Sequence, residues 1–205
     1  KGKNGKPKGG RYKREFGVPK DSAQENFTDP HSRVMPRAGG GFDYSYNAQT
    51  AVDDTAHIVV AAELTNMAAD SGELSGMLDA AQANLGANAQ QVLADAGYRS
   101  EAMFEQLSDH PSAVVVALGR EGKQQLDIDA AKYPRTAEMA AKMQTDEGRK
   151  AYRRRKWIAE PPNGWIKNIL GFRQFSMRGL HRVRAEFKIV CMALNLRRMC
   201  AMQAA

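Results

Sequence analysis

Cysteine is nearly absent from this chain: two among 205 residues, Cys191 and Cys200, both on one helical stretch. So few exclude a disulfide framework and a cysteine-based zinc site, and they suit a reducing cytoplasm. No apolar run approaches the length of a membrane-spanning helix. The chain opens at Lys1 with neither a methionine nor a secretory hydrophobic region, and so reads as a fragment. Four histidines, His31, His57, His110 and His181, show no metal-ligand spacing. Gly39-Gly40-Gly41 has no phosphate-loop context, and Ser32 and Ser100 lack a His/Asp setting, so nucleotide binding and serine nucleophile chemistry are unsupported. Acidic residues are scarce at the end, where residues 149–205 hold only Glu160 and Glu186.

What is present is a globular composition, 42% hydrophobic, with its charges segregated. Residues 1–20 carry eight Lys/Arg and one acid, residues 21–148 eight and twenty, and residues 149–205 fourteen and two. An acidic middle between two basic ends suggests a polyanion held against a carboxylate-bearing site, with a contribution that salt would screen. Residues 1–20, Gly- and Lys-rich without apolar periodicity, read as a flexible basic arm.

Periodicity then predicts an extended segment over Phe27–Met35, a half-buried strand over Tyr44–Val52 and an apolar strand over His57–Leu64, an antiparallel meander. Asp70-Ser71 should cap a helix bearing Leu74, Met77, Leu78 and Ala81. Gln90–Ala94 is a short buried strand running into Asp95, Ser100 should cap a second helix, and Ala113–Leu118 is a further strand. Residues 119–148 read as a polar insertion with a short helix near Thr136–Met143. A basic helix from about Gly148 should be interrupted by Pro161-Pro162-Asn163-Gly164 and resume over Trp165–Leu170. A last helix, about His181–Met202, carries Val183, Phe187, Val190 and Leu194 on one stripe. The order predicts an α/β fold, one mixed sheet with flanking helices and with the first and fourth strands side by side. It resembles the β-β-β-α-β-α-β-α order of the RNase H-like fold.

Asp95, at a strand's carboxyl end, stands where open α/β sheets bind ligands, although such an Asp often only caps the next helix. Asp29 heads a turn with Pro30, and Glu160 is an isolated acid among Arg153, Arg154, Arg155, Lys156 and Lys167. Two strand-borne Asp and a helix-borne Glu would offer hard oxygen ligands suited to Mg²⁺ or Mn²⁺. Two such ions can activate water or a 3′-hydroxyl at a phosphodiester.

Several segments carry a more specific likeness. Asn26–Met35 (NFTDPHSRVM), Tyr46–Asp53 (YNAQTAVD), Leu93–Tyr98 (LADAGY), the Tyr152, Arg155, Glu160, Lys167 series, Gly171–Phe175 (GFRQF), Arg178–Leu180 and Ala193–Leu196 follow one another in order. Together they resemble the DDE transposases of bacterial insertion sequences, from about residue 24 to the C-terminus. Asn163 departs from that pattern, which often has an aromatic residue there.

The resemblance implies an RNase H-like catalytic domain over residues 21–205, with 149–205 as basic C-terminal helices carrying the Glu. It implies a metal-dependent transposase that cleaves DNA and transfers strands, using two Mg²⁺ or Mn²⁺ ions. Asp29, Asp95 and Glu160 would be the catalytic metal ligands, and Arg155, Lys156, Lys167 and Arg173 would contact phosphates. The first carboxylate stays open between Asp29 and a residue upstream of Lys1, with Asp53 and Asp43 as further choices. The implied partner is double-stranded DNA, at element ends and target, bound by a homodimer in a bacterial cytoplasm. A DNA-binding remnant that no longer cuts is the alternative, and a non-enzymatic basic module for nucleic acid is another.

Overall fold

A computed structural model describes residues 24–37, 39–119 and 128–204. The basic arm expected over residues 1–20 lies outside the described residues. Four strands come first: β1 (Arg33–Pro36), β2 (Phe42–Ser45), β3 (Asn47–Val52) and β4 (Val59–Thr65). Helix α1 (Leu74–Leu85), β5 (Gln91–Ala94), α2 (Glu101–Gln106) and β6 (Ala113–Val116) follow, and α3 (Pro134–Gln144), α4 (Asp146–Asn168) and α5 (Leu180–Gln203) complete the order.

The expected single mixed sheet is not formed by the described residues. They make three two-stranded ladders: β1–β2 antiparallel, β3–β4 antiparallel and β5–β6 parallel. The segment read as one strand over Tyr44–Val52 breaks at Tyr46, whose hydroxyl is drawn to buried Asp29, 2.8 Å from each carboxylate oxygen. Strand β1 likewise starts only at Arg33, because Asn26–Ser32 folds into turns held by backbone bonds from Asp29 and Ser32.

In the β3–β4 and β5–β6 ladders, side chains bond to the outer edge. On β4, Asn195 of α5 donates to the Val59 carbonyl and accepts from its N–H, both at 2.9 Å, while Arg184 donates to the Leu64 carbonyl. On β6, Lys142 of α3 donates to the Val114 carbonyl at 2.7 Å, and two residues past the strand Arg99 donates to that of Leu118 at 3.0 Å. Covered edges resist pairing with other chains.

Two hydrophobic clusters hold these layers. One joins Val59 and Leu64 of β4 with Ile166 of α4 and Val183, Phe187, Cys191 and Leu194 of α5. The other joins Leu74 and Leu78 of α1, Met103 and Phe104 of α2, and Ala94, Val114 and Val116 of β5 and β6. The stripe expected on the last helix is thus the buried one, with Cys191 added to it. Burial pushes the Cys191 thiol up to about 11, so it serves as a small apolar side chain. Residues 134–148, expected within an insertion, pack into the fold through Glu101 of α2, which accepts from the N–H groups of Arg135 and Thr136. Gly148 permits the close passage of α3 and α4, since a Cβ there would lie 2.1 Å from the Lys142 carbonyl oxygen.

Helix α4 corrects the expected interruption. It runs unbroken from Asp146 to Asn168 through Pro161 and Pro162. A proline removes one helical N–H and orphans the carbonyl four residues earlier, which for Pro161 is Trp157. His57 fills that vacancy, its Nε2 lying 2.8 Å from the Trp157 oxygen. Asn163 makes a further local bond, its Nδ2 donating to the Ala159 carbonyl at 3.0 Å. The cap expected from Asp70-Ser71 is also absent: α1 starts at Leu74 with no side-chain cap, and Asp70 is engaged elsewhere. Ser100 stands at the N-cap position of α2 without a side-chain capping bond.

Candidate active site

Strand β5 delivers Asp95 to the carboxyl end of the parallel pair. Its backbone stays extended, and its Oδ1 accepts from the Gly97 N–H at 2.9 Å, so the carboxylate is fixed at the head of a short turn over Ala96–Tyr98. A second carboxylate reaches the same point. A Cβ on Gly97 would stand 2.5 Å from Asp70 Oδ2 and 3.0 Å from Asp95 Oδ1. Only glycine leaves room there for both acids. Asp70 is oriented from β3, where the Asn47 and Gln49 side-chain amides donate to its Oδ1 at 2.5 and 2.7 Å. Gln49, almost fully buried, also accepts from the Tyr98 hydroxyl. Burial, then the negative charges of Asp70, Asp95 and Glu73, push the Tyr98 phenol well above its ordinary range. It therefore remains a neutral donor.

These groups line one cleft of about 990 Å³ between β3, α1, β5 and α4. Asp95 and Glu160 both line it, as do Asp53, Asp54, Arg154 and Arg155. Arg154 makes an ion pair with Asp54, tying α4 to the end of β3. The half-buried Arg155 places its guanidinium carbon 5.4 Å from the Tyr152 ring centroid, and its Nε is buried without a partner. A planar cation held in this way suits phosphate recognition.

Other expected site residues lie apart from the cleft. Asp29 is 7% exposed and does not line it. Its carboxylate accepts from the Tyr46 hydroxyl, the Gly179 N–H at 3.1 Å and the His31 N–H at 3.3 Å. Burial and the Asp29 carboxylate in turn raise the Tyr46 phenol. These bonds use Asp29 to fasten the β1 turn to the start of α5. Lys167 and Arg173 are exposed and outside the cleft lining, and Arg173 donates to Asn168 at 2.7 Å. Lys156 is exposed on α4 and also outside the lining. Asp43 pairs with Arg37 at 3.4 Å on the surface. Asp53, by contrast, lines the cleft and accepts from the Ala56 N–H at 2.6 Å in the β3–β4 turn.

Sequence reasoning missed Asp70. The available signal was Asn47 and Gln49, amide side chains two apart on a strand and hence on one face, which need a buried polar partner.

Hard carboxylate oxygens at a strand end fit Mg²⁺ or Mn²⁺ in kind. They do not fit in number. Among the described residues no three His, Cys, Asp or Glu side chains are gathered closely enough to hold a metal ion.

A family model described as the transposase DDE domain matches residues 22–196. The chain belongs to the transposase DDE domain family. Its mixed α/β architecture, with small ladders and five α-helices among the described residues, is consistent with a DDE nuclease fold. No curated protein and no solved structure matches it. No helix among the described residues is long and apolar enough to cross a membrane.

Proposed function

We propose that this chain is the catalytic part of an insertion-sequence transposase that cleaves double-stranded DNA and transfers the freed strand, with Mg²⁺ or Mn²⁺ as the metal. The observation that carries this reading is the common cleft. Asp95 from the end of β5 and Glu160 from α4, far apart in the chain, line it together with Arg154 and Arg155. In this reading Asp95 and Glu160 are catalytic carboxylates, and Asp70 joins Asp95 at Gly97. Arg155 holds backbone phosphates on the α4 wall, while Lys156, Lys167 and Arg173, outside the cleft lining, extend the basic track beyond it. Asp29 is assigned a structural role, which leaves a further carboxylate to be supplied from outside the described residues. A bacterial, cytoplasmic setting and a homodimer on DNA belong to the same proposal.

The decisive assay is cleavage of an end-bearing duplex by the active parent protein, with and without Mg²⁺. Asp95→Asn and Glu160→Gln should each abolish cleavage while duplex affinity holds or rises, since removing negative charge lessens repulsion of phosphate. Undiminished cleavage by either variant would refute the assignment. A second reading, a family member that binds DNA without cutting it, is favoured by the lack of a three-ligand group among the described residues. It predicts salt-sensitive duplex binding and no metal-dependent nicking by the wild-type protein.

A further inference from the structure

Helix α5 carries two apolar stripes. At about 100° per residue, Val183, Phe187, Cys191 and Leu194 share the face that closes on β4 and α4. Ala185, Ile189, Met192, Leu196 and Met199 share the opposite face. The inner stripe is buried. The outer one meets solvent: Ile189 is 57% exposed, Met192 and Leu196 55% and Met199 51%, and Ala185 is exposed as well. Apolar residues scattered singly over a surface need no explanation, but a continuous row of them marks a contact.

The steps along the outer stripe are four, three, four and three residues. That alternation is a heptad seam, in which apolar side chains recur every 3.5 residues on average. A helix packed on a sheet needs one apolar face, and α5 has that face in its inner stripe. A second face with heptad spacing matches a second helix, whose knobs and holes have the same period. Duplex DNA does not suit it, because the seam positions from Ala185 to Met199 carry no charge.

The stripe also fits its own reverse. Met192 and Leu196 lie two residues to either side of Leu194, and Ile189 and Met199 lie five. A second copy running the opposite way, with a two-fold axis at the level of Leu194, sets Met192 against the partner's Leu196 and Ile189 against the partner's Met199. The flanks agree. Beside such a seam Glu186 falls next to the partner's Cys200 and Lys188 next to the partner's Met202, while Ala193 meets the partner's Ala193 near the axis. No like charges meet. A parallel pair would instead set each seam residue beside its own copy, and Arg182, one step up the same stripe, against the partner's Arg182.

We propose that the outer face of α5 is the surface through which two copies of this chain pair, as antiparallel helices about a two-fold axis near Leu194. The pairing rests on the functional reading only for its homodimer, to which it assigns a surface, and uses nothing at the cleft. From Ala185 to Met199 the seam runs about 21 Å at 1.5 Å per residue. That is short for a standard interface, so the pair is weak, with a dissociation constant on the order of 10 µM. Each copy carries a net charge of +7, so repulsion opposes pairing and added salt should strengthen it. The same salt weakens duplex binding, which separates this contact from bridging by DNA.

Sedimentation of the full chain without DNA, up to a few hundred micromolar, tests it, and a monomer–dimer equilibrium is expected. Leu196→Glu, at an exposed position, should keep the fold by circular dichroism and weaken association roughly 100-fold or more, because it brings two carboxylates together in the seam. Phe42→Ser, at another exposed apolar residue, should leave association unchanged. Orientation is read from the distance between spin labels on His181→Cys or Arg197→Cys, in a Cys200→Ser background where the remaining Cys191 is buried. Antiparallel pairing separates the two labels along the helix axis by about 39 Å for residue 181 and about 9 Å for residue 197. Parallel pairing makes the two distances alike. None of these readouts involves DNA, metal or Asp95, so failure here leaves the cleavage reading to its own assay. The proposal is overturned if the wild-type chain stays monomeric at these concentrations, if Leu196→Glu dimerises as well as wild type, or if the two label distances are alike.

Discussion

Replacing His57 by alanine isolates the contact that lets α4 pass through two prolines. The Trp157 carbonyl, orphaned by Pro161, has the His57 imidazole as its partner at 2.8 Å. A carbonyl oxygen can only accept, so the ring donates from Nε2, while His57 Nδ1 is buried without a partner. The ring also stands 5.9 Å from that of Trp165. Loss of the hydrogen bond at this solvent-accessible position should cost about 0.5–1.5 kcal/mol, and loss of the ring contact about 0.5 kcal/mol more.

Backbone strain enters separately, because His57 holds φ at +58°. His57→Gly should therefore be less damaging than His57→Ala, by about 1 kcal/mol. The informative partner is Pro161→Ala, which restores an N–H aimed at the Trp157 carbonyl. In that background, His57→Ala should cost only the ring contact. Urea denaturation of the four proteins gives the coupling energy, expected at about 1 kcal/mol. If His57→Ala destabilises equally with and without Pro161, the imidazole is not the substitute for the missing helical donor.

Three further outcomes follow from the site and its surroundings. Gly97→Ala places a Cβ 2.5 Å from Asp70 Oδ2; displacement of that carboxylate should lower stability by about 1–3 kcal/mol, and thermal unfolding indistinguishable from wild type would contradict the shared position of Asp70 and Asp95. Asp70→Ala removes the carboxylate that accepts from the Asn47 and Gln49 amides, leaving them only the Met67 carbonyl and Asn47 Oδ1, at about 1–3 kcal/mol; Asp70→Asn, which can rotate an oxygen toward them, should lose less in the same denaturation assay. At Glu186, burial raises the carboxyl, but bonds from the Ser176 N–H and hydroxyl and the Met177 N–H outweigh it and hold the group below its ordinary 4.5. A depressed folded value means that Glu186 stabilises the fold above pH 4.5 and loses this as pH falls below it, so Glu186→Gln should flatten stability across that acid window.

Short-range patterns were legible because they rest on periodicity. The strand into Asp95, the apolar strand before Asp70 and the buried stripe Val183, Phe187, Leu194 all depend on residues within one or two turns of each other. The likeness around Leu93–Tyr98 and Tyr152–Lys167 was likewise local, and the family match agrees with it. The partners of Asp29 were not legible, because a turn Asp beside a proline looks the same whether it faces a ligand or a buried tyrosine. Tyr46 and Gly179 bond to it, and Gly179 is 150 positions away.

Composition and local spacing by themselves determined where the charges collect and most of the strand and helix segments, but not the turns over Asn26–Ser32, the break at Tyr46 or the continuity of α4. Only the tertiary structure decided that α4 runs on through Pro161 and Pro162, that Asp70 joins Asp95, and that β3 and β5 both line one cleft. A proline's missing hydrogen bond, a carboxylate's partner and a strand edge's neighbour are each set by residues distant in the chain. No local rule reads them, because the chain must close on itself before those groups meet.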